Sequence, residues 1–249
     1  FGYNANKTKF SFNNVGGAFN VYNGSGGLTS VTLGFGYNKM IDLSTNSYVI
    51  GRSHGTRIDE FGNRLADSGR IPAAGYDHKE PGDVNFSEWG SVLAYNTKLI
   101  RYYPDNDEYG PRENLFGNDA IFHSEFQRFT KGSVGEYEIA AGFNVSNVFY
   151  FGLGFGIQDL SYTQNHDYLE SPENNAGYGL QSFNYHTHVK LEGSAWNLKF
   201  GVVARPLEEL RIGLAFHTPT YINIEENYYA KTNSYFNDFS PQDWYVTYN

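Results

Sequence analysis

Two histidines separated by one residue are the first candidates for chemistry in this sequence. His186 and His188 would project from the same face of a strand, where two imidazoles can bind one metal ion. Lys190 follows on that face, and no third metal ligand can be identified nearby. We therefore expect no metal site, and we assign His186, His188 and Lys190, together with Arg211 on a later strand, to the polar lumen of a closed sheet.

Other motifs that suggest chemistry do not fit their surroundings. The acidic segment 104–108 resembles a calcium-binding loop but lacks a glutamate at the twelfth position, so it predicts an acidic turn. The alternating glycines at 152, 154 and 156 lie within a strand and precede no helix, which excludes a phosphate-binding loop. No serine or threonine can be paired with a histidine base from sequence alone. The sequence predicts neither an enzyme nor a bound cofactor.

The composition favours a membrane protein that crosses the bilayer in β-strands. Mean hydropathy is −0.52, yet the 249 residues include 21 Tyr and 20 Phe, which is unusual for a soluble core. A helical span needs about 18 or more apolar residues, and the sequence has no such run. A β-strand crosses in about 9–11 residues and is apolar only on its lipid side. Because the formal charge is −9 and the basic residues do not form runs, we expect no nucleic-acid partner.

The clearest structural signal is a pair of alternating segments at 135–143 and 149–157. Aromatic and aliphatic residues occupy every second position, and glycines fill most of the alternate positions of the second segment. Residues 144–147 supply turn residues between them. Period two over these lengths predicts a β-hairpin, and glycines opposite phenylalanines are typical of a crowded lumen rather than a solvated surface. The segment 31–37 repeats the pattern.

A second unit at 183–217 changes the parity of its apolar positions near Gly193. Apolar residues are odd-numbered up to 191 and even-numbered from 196 to 204. Such a switch requires a turn or a one-residue bulge, and we favour a bulge at Gly193 within one long strand that projects beyond the lipid. Residues 205–209 predict a tight turn, and the return strand is expected to end before Pro219.

Residues 41–130 interrupt the strand pattern and are predicted to form an extracellular insertion with short helices. Apolar residues recur at helical spacing from Ile58 to Leu65, and a second amphipathic helix is predicted from Ser87. Barrels with short periplasmic turns have long extracellular loops. The apolar side chains of the insertion either fasten its helices to the barrel rim or form a groove for a hydrophobic ligand. The candidate ligand-binding residues are Phe61, Leu65, Trp89, Val92 and Leu93.

The segments 196–206 (WNLKFGVVARP) and 210–220 (LRIGLAFHTPT) resemble outer-membrane transporters of the FadL/TodX family. Residues 10–17, the strand ending at 36–39 and the segment 53–56 (SHGT) are similar to members from Bacteroidetes-type bacteria. The resemblance implies an all-β, antiparallel transmembrane β-barrel of about fourteen strands, an N-terminal hatch in its lumen and capture of hydrophobic compounds by an extracellular groove. We find no hatch, no Asn-Pro-Ala motif and only about eight or nine strands. We therefore expect residues 1–249 to be one incomplete or processed barrel domain.

The sequence thus predicts a channel in the bacterial outer membrane for diffusion-driven uptake of hydrophobic small molecules such as long-chain fatty acids. The expected partners are a hydrophobic ligand, outer-membrane lipid and lipopolysaccharide, with a protein at the extracellular loops as a further candidate. Two alternatives stay open. One is a barrel that binds proteins during assembly or secretion, and the other is a secreted, soluble β-sandwich that binds carbohydrate through its tyrosines.

Overall fold

The computed structural model describes residues 12–67, 88–106, 108–174, 179–237 and 242–248. In chain order, the elements of these residues are β1 (Asn14–Asn23), β2 (Leu28–Asp42), β3 (Thr45–Ser53), α1 (Arg57–Asp67), α2 (Trp89–Asn96), β4 (Ile100–Tyr103), β5 (Glu108–Pro111), β6 (Ile121–Val145), β7 (Phe149–Glu173), β8 (Leu180–Ala204), β9 (Ile212–His217), β10 (Tyr221–Phe236) and β11 (Gln242–Tyr248). Antiparallel strands dominate, which confirms the predicted β class with short helices. Neither helix in the described ranges is long and apolar enough to cross a membrane.

Nine of these strands form one antiparallel sheet that follows the order of the chain. Its path runs through β1, β2, β6, β7, β8, β10 and β11. Strand β3 continues β2 along β6, and β10 continues β9 along β8, so each pair acts as one interrupted strand. Pro219 lies in the second interruption, where its missing N–H cannot break a ladder. The sheet is an up-and-down meander, and β4 and β5 form a separate hairpin.

The three central strands, β6, β7 and β8, contain 25 residues each, which corresponds to roughly 80 Å of extended chain. A tight turn joins β6 to β7, as predicted. Ser146 and Asn147 have φ values of 55° and 57°, and the N–H of Val148 donates to the carbonyl of Val145 at 3.1 Å. Two successive positive φ values are typical of a type I′ turn, whose twist matches that of the flanking strands.

No bulge interrupts β8 at Gly193, so the predicted bulge is wrong. Residues 183–204 pair with β7 in continuous register, which keeps all even-numbered side chains on one face and all odd-numbered ones on the other. The switch in parity instead means that the apolar residues of β8 lie on one face of the strand before Gly193 and on the other face after it. Position 193 requires glycine for a different reason. A Cβ there would lie 2.7 Å from the backbone oxygen of Asn223 on β10.

The insertion is shorter than the sequence predicted. Strand β3 and the beginning of β6 pair with each other in the main sheet, so the insertion covers residues 54–120 rather than 41–130. Helix α1 is confirmed at the predicted apolar repeat, and α2 is confirmed from Trp89, whereas Ser87 lies outside the described residues. The insertion packs on the end of the sheet that is distant from the β6–β7 turn.

Candidate functional site

Large apolar side chains form a continuous exposed surface on one face of the sheet near the β6–β7 turn. Cross-strand pairing aligns them in rows, since Leu153 lies opposite Ala141 and Phe200, and Phe200 lies opposite Phe216. We call this surface the apolar band. On β2 and on β6 to β10, its exposed members are Leu33, Phe35, Tyr137, Ile139, Phe149, Phe151, Leu153, Phe155, Ile157, Trp196, Phe200, Val202, Ile212, Leu214, Phe216 and Tyr221. The one-sided alternation predicted from the sequence is therefore confirmed.

Aromatic rings border the apolar band on the side of the insertion. Tyr37, Tyr137, Ile157, Trp196 and Tyr221 form one row across the sheet. The ring centroids of Tyr37 and Tyr137 are 5.0 Å apart, and those of Trp196 and Tyr221 are 4.6 Å apart in a stacked arrangement. The next row on this face holds small and polar residues: Gly135, Asp159, Ser194 and Asn223. The band thus ends at an aromatic border.

The opposite face of the same strands carries mainly glycine and alanine. We call it the small-residue face, and its members include Gly34, Gly36, Ala140, Gly142, Gly152, Gly154, Gly156, Gly201 and Ala215. A concavity of about 440 Å³ lies on it, and its lining includes the polar side chains of Glu138, Lys199 and His217. Because most positions lack a side chain beyond Cβ, this face leaves room for a small molecule beside the sheet.

One group of charged and amide side chains lies on the small-residue face. The Lys199 ammonium Nζ is 2.7 Å from Glu136 Oε1 and 2.8 Å from Glu138 Oε2. Gln158 Nε2 donates to Glu136 Oε2 at 2.9 Å, and Asn197 Nδ2 donates to the same oxygen at 3.3 Å. We call these five residues the charged cluster. Two carboxylates share one ammonium here, so the cluster has a formal charge of −1.

The predicted ligand-binding residues lie between the insertion and the sheet. Those with described side chains are at most 6% exposed: Phe61, Trp89, Val92 and Leu93. The ring of Phe61 is 5.5 Å from that of Tyr185, and the ring of Trp89 is 5.4 Å from that of Tyr228. These side chains attach the helices to the sheet. They are buried there and do not form an exposed groove. The side chain of Leu65 lies outside the described residues.

A buried carboxylate and an arginine anchor the start of α1 to β7. Glu170 is 1% exposed and accepts hydrogen bonds from the hydroxyls of Thr56 and Tyr168. The backbone N–H of Arg57 also donates to Glu170, at 3.2 Å. The Arg57 guanidinium lies 5.5 Å from the ring centroid of Tyr168 and 5.7 Å from that of Phe61. Burial raises the pKa of the Glu170 carboxyl above its usual value near 4.5.

The residues predicted to line the lumen do not lie on the small-residue face. Because β8 has no bulge, His186, His188 and Lys190 lie on the same face as the apolar band, beyond its aromatic border. Arg211 is exposed in the connection between β8 and β9, at the other end of the sheet. The register therefore separates these four residues from the concavity and separates Arg211 from the other three.

The two histidines do not converge on a common ligand position. His186 Nδ1 is 2.7 Å from Asp167 Oδ1, and His188 Nδ1 is 2.6 Å from Asn165 Oδ1. Each ring thus has its own partner on β7. In the part of the chain that the structure describes, no group of three or more His, Cys, Asp or Glu residues is arranged to hold a metal ion.

Sequence reasoning did not identify the charged cluster. Lys199 and Glu136 are 63 residues apart, and a third strand lies between them, so only the register brings them together. The sequence contained one signal for it. Lys199 alternates with apolar residues in its strand, and a lysine in such a position requires a charged or polar partner on its own, non-apolar face of the sheet. Glu170 and Arg57, 113 residues apart, carried no comparable signal.

Comparisons of this chain with protein-family models, with curated proteins and with solved structures found no match. The resemblance to the FadL/TodX family stays a prediction from the sequence.

Proposed function

We propose that this chain contributes strands to a β-barrel in a bacterial outer membrane and that the barrel is a channel for hydrophobic small molecules. The observation that carries the proposal is the apolar band. At roughly half exposure, its sixteen large side chains expose on the order of 1,000 Å². Monomeric soluble proteins rarely expose a contiguous apolar patch larger than about 300–600 Å². Contact with lipid would remove the free-energy cost of exposing these apolar side chains to water.

The extent of the band along the strands supports a membrane crossing. On β7 it runs from Phe149 to Ile157, and a transmembrane strand needs about 9–11 residues. The aromatic border, with Tyr137, Trp196 and Tyr221, matches the girdle that barrels place at the lipid–water interface. The remainder of each 25-residue strand then extends into the aqueous phase.

The connections between strands support an orientation. Short links join β1 to β2, β6 to β7 and β8 to β9 at the end of the sheet that carries the band. The 54–120 insertion lies at the other end. Outer-membrane barrels have short periplasmic turns and longer extracellular loops, so we place the insertion outside the cell.

The small-residue face supplies the route for the solute in this proposal. Its glycines leave space beside the wall, and the concavity of about 440 Å³ accommodates a small molecule. The insertion packs on the same face farther along the strands, where Phe183 and Tyr185 lie beneath α1. A solute entering from outside therefore passes the insertion before it reaches the concavity. Its transfer is driven by burial of apolar area, worth about 25 cal/mol per Å².

Uptake by cells with and without the protein tests the proposal. We expect the protein to accelerate entry of a radiolabelled long-chain alcohol, with a fatty acid of equal length measured beside it. Gly201→Phe places a ring on the small-residue face, where a Cβ has no heavy atom within 4 Å, and should slow uptake without preventing insertion. Ser194→Phe, on the other face, is the matched control. Equal uptake of both compounds by cells with and without the protein would refute the transport function.

A further inference from the structure

The charge of the small-residue face restricts which hydrophobic molecules it can accept. In the described rows of the sheet that carry the apolar band, residues 149–157 of β7 and their partners, Lys199 is the only lysine or arginine on this face, and it already contacts Glu136 and Glu138. His217, opposite Lys199 on β9, is the other basic side chain there. An incoming carboxylate would thus meet a net negative group whose one ammonium is already shared by two acids.

The charged cluster also contains an acceptor without a donor. Asn197 is 6% exposed, and its amide Nδ2 is bonded to Glu136. Its Oδ1 is buried and has no hydrogen-bond partner among the described residues. A buried acceptor that lacks a partner costs free energy, so the site favours a ligand that brings a donor.

The absence of a side chain at Gly156 lets both acceptor oxygens lie close to the backbone of β7. A Cβ at Gly156 would lie 2.9 Å from Asn197 Oδ1 and 3.0 Å from Glu136 Oε2. A ligand group that donates hydrogen bonds would be attracted by these oxygens, whereas a group that only accepts would be repelled by them. Glu138 and Lys199 of the same cluster line the adjoining concavity. The glycine and alanine lining of the adjoining concavity suits an apolar tail.

We propose that the charged cluster binds the ammonium end of a small cationic amphiphile and discriminates against carboxylates. An ammonium has three donors and one positive charge, and it would neutralise the formal charge of −1. This inference rests on the proposed function, because that function brings an apolar solute to this face. It narrows the substrate class from hydrophobic molecules in general to those with a donor, preferably cationic, head group.

Binding of three eight-carbon probes tests this inference. Octylammonium, octanol and octanoate are titrated at pH 7 into the full chain in a non-ionic detergent, with calorimetry as the readout. We expect octylammonium to bind at least tenfold more tightly than octanoate, with octanol between them. Glu138→Gln should weaken octylammonium binding about tenfold and leave octanol binding unchanged. Glu192→Gln removes a carboxylate that lies on the other face, paired with Lys190, and should change neither affinity.

The other outcomes would overturn either the inference alone or both the inference and the proposed function. Octanoate binding equal to or tighter than octylammonium binding would overturn the inference, as would equal weakening by Glu138→Gln and Glu192→Gln. Octanol binding without any preference for octylammonium would overturn the inference while leaving the proposed function intact. Absence of binding by all three probes would overturn both. Circular dichroism of each variant confirms that a loss of binding does not reflect a loss of the sheet.

Discussion

Replacing Leu153 by arginine tests whether the apolar band contacts lipid. Leu153 lies in the middle row of the band, opposite Ala141 and Phe200, and is 47% exposed. An arginine side chain therefore meets no steric barrier from the protein. The effect of the substitution depends on the solvent that covers this face.

The expected penalty follows from depth in the bilayer. An arginine on the lipid side of a barrel costs about 2–4 kcal/mol at the midplane and about 0–1 kcal/mol near the interface. Ile157 lies four residues along the same face of β7, which is roughly 14 Å along the strand and roughly 10 Å in depth at a 45° tilt. Ile157→Arg should thus cost about 1 kcal/mol, and Ser161→Arg, beyond the border, close to zero.

Urea titration in phospholipid vesicles measures this series. We expect Leu153→Arg to lower the folding equilibrium constant by roughly 30-fold to several hundred-fold, with Ile157→Arg intermediate and Ser161→Arg close to the unaltered protein. Substitutions on a water-exposed surface usually change stability by no more than about 0.5 kcal/mol. If all three variants fall within that range of one another, the band does not face lipid and our reasoning is refuted.

Three further predictions concern the anchor and the β6–β7 turn. Arg57→Ala removes cation–π contacts worth about 0.5–1 kcal/mol each and should increase hydrogen exchange in α1 severalfold, whereas Arg64→Ala, on the exposed side of the helix, should change it little. Because burial raises the pKa of Glu170, folded protein binds this proton more readily than unfolded chain. The corresponding stability is fully present below about pH 4.5 and is lost as the pH rises through the folded pKa. Thermal melts should show that Glu170→Gln removes this part of the pH dependence, and an unchanged profile would contradict the assignment. Asn147 has φ 57°, so Asn147→Val should lower the urea midpoint by an amount equivalent to about 1–2 kcal/mol, whereas Asn147→Gly should leave it nearly unchanged.

The strands of the apolar band could be predicted because one face of each is apolar and the other is not. At 149–157 the alternation of large residues with glycine fixed both the strand and its exposed face. The continuation of β7 to Glu173 could not be predicted, because residues 158–168 are mostly polar on both faces. Strand β3 was assigned to the insertion because its apolar residues, Tyr48, Val49 and Ile50, are consecutive and do not alternate with polar ones.

The faces of β8 show why a pattern in one segment is ambiguous. The same switch in parity results from a bulge or from a change in which face of the strand is apolar. Only the pairing with β7 distinguishes the two. Because of this ambiguity, we expected His186 and His188 opposite the apolar side chains of β8, whereas the register places them on the same face as the apolar band. The charged cluster was missed because it depends on pairing across three strands, which one sequence does not determine.

Nitroxide accessibility along the band tests the central claim most directly, since the chain contains no cysteine. Single cysteines at Phe151, Leu153 and Val202 carry the label on the apolar band. Cysteines at Gly152 and Gly201 carry it on the opposite face, where both positions have room for a side chain. In phospholipid vesicles we predict high oxygen and low nickel-chelate accessibility at the first three positions and the reverse at the two glycines. High nickel-chelate accessibility at Phe151, Leu153 and Val202 would contradict membrane insertion through the apolar band.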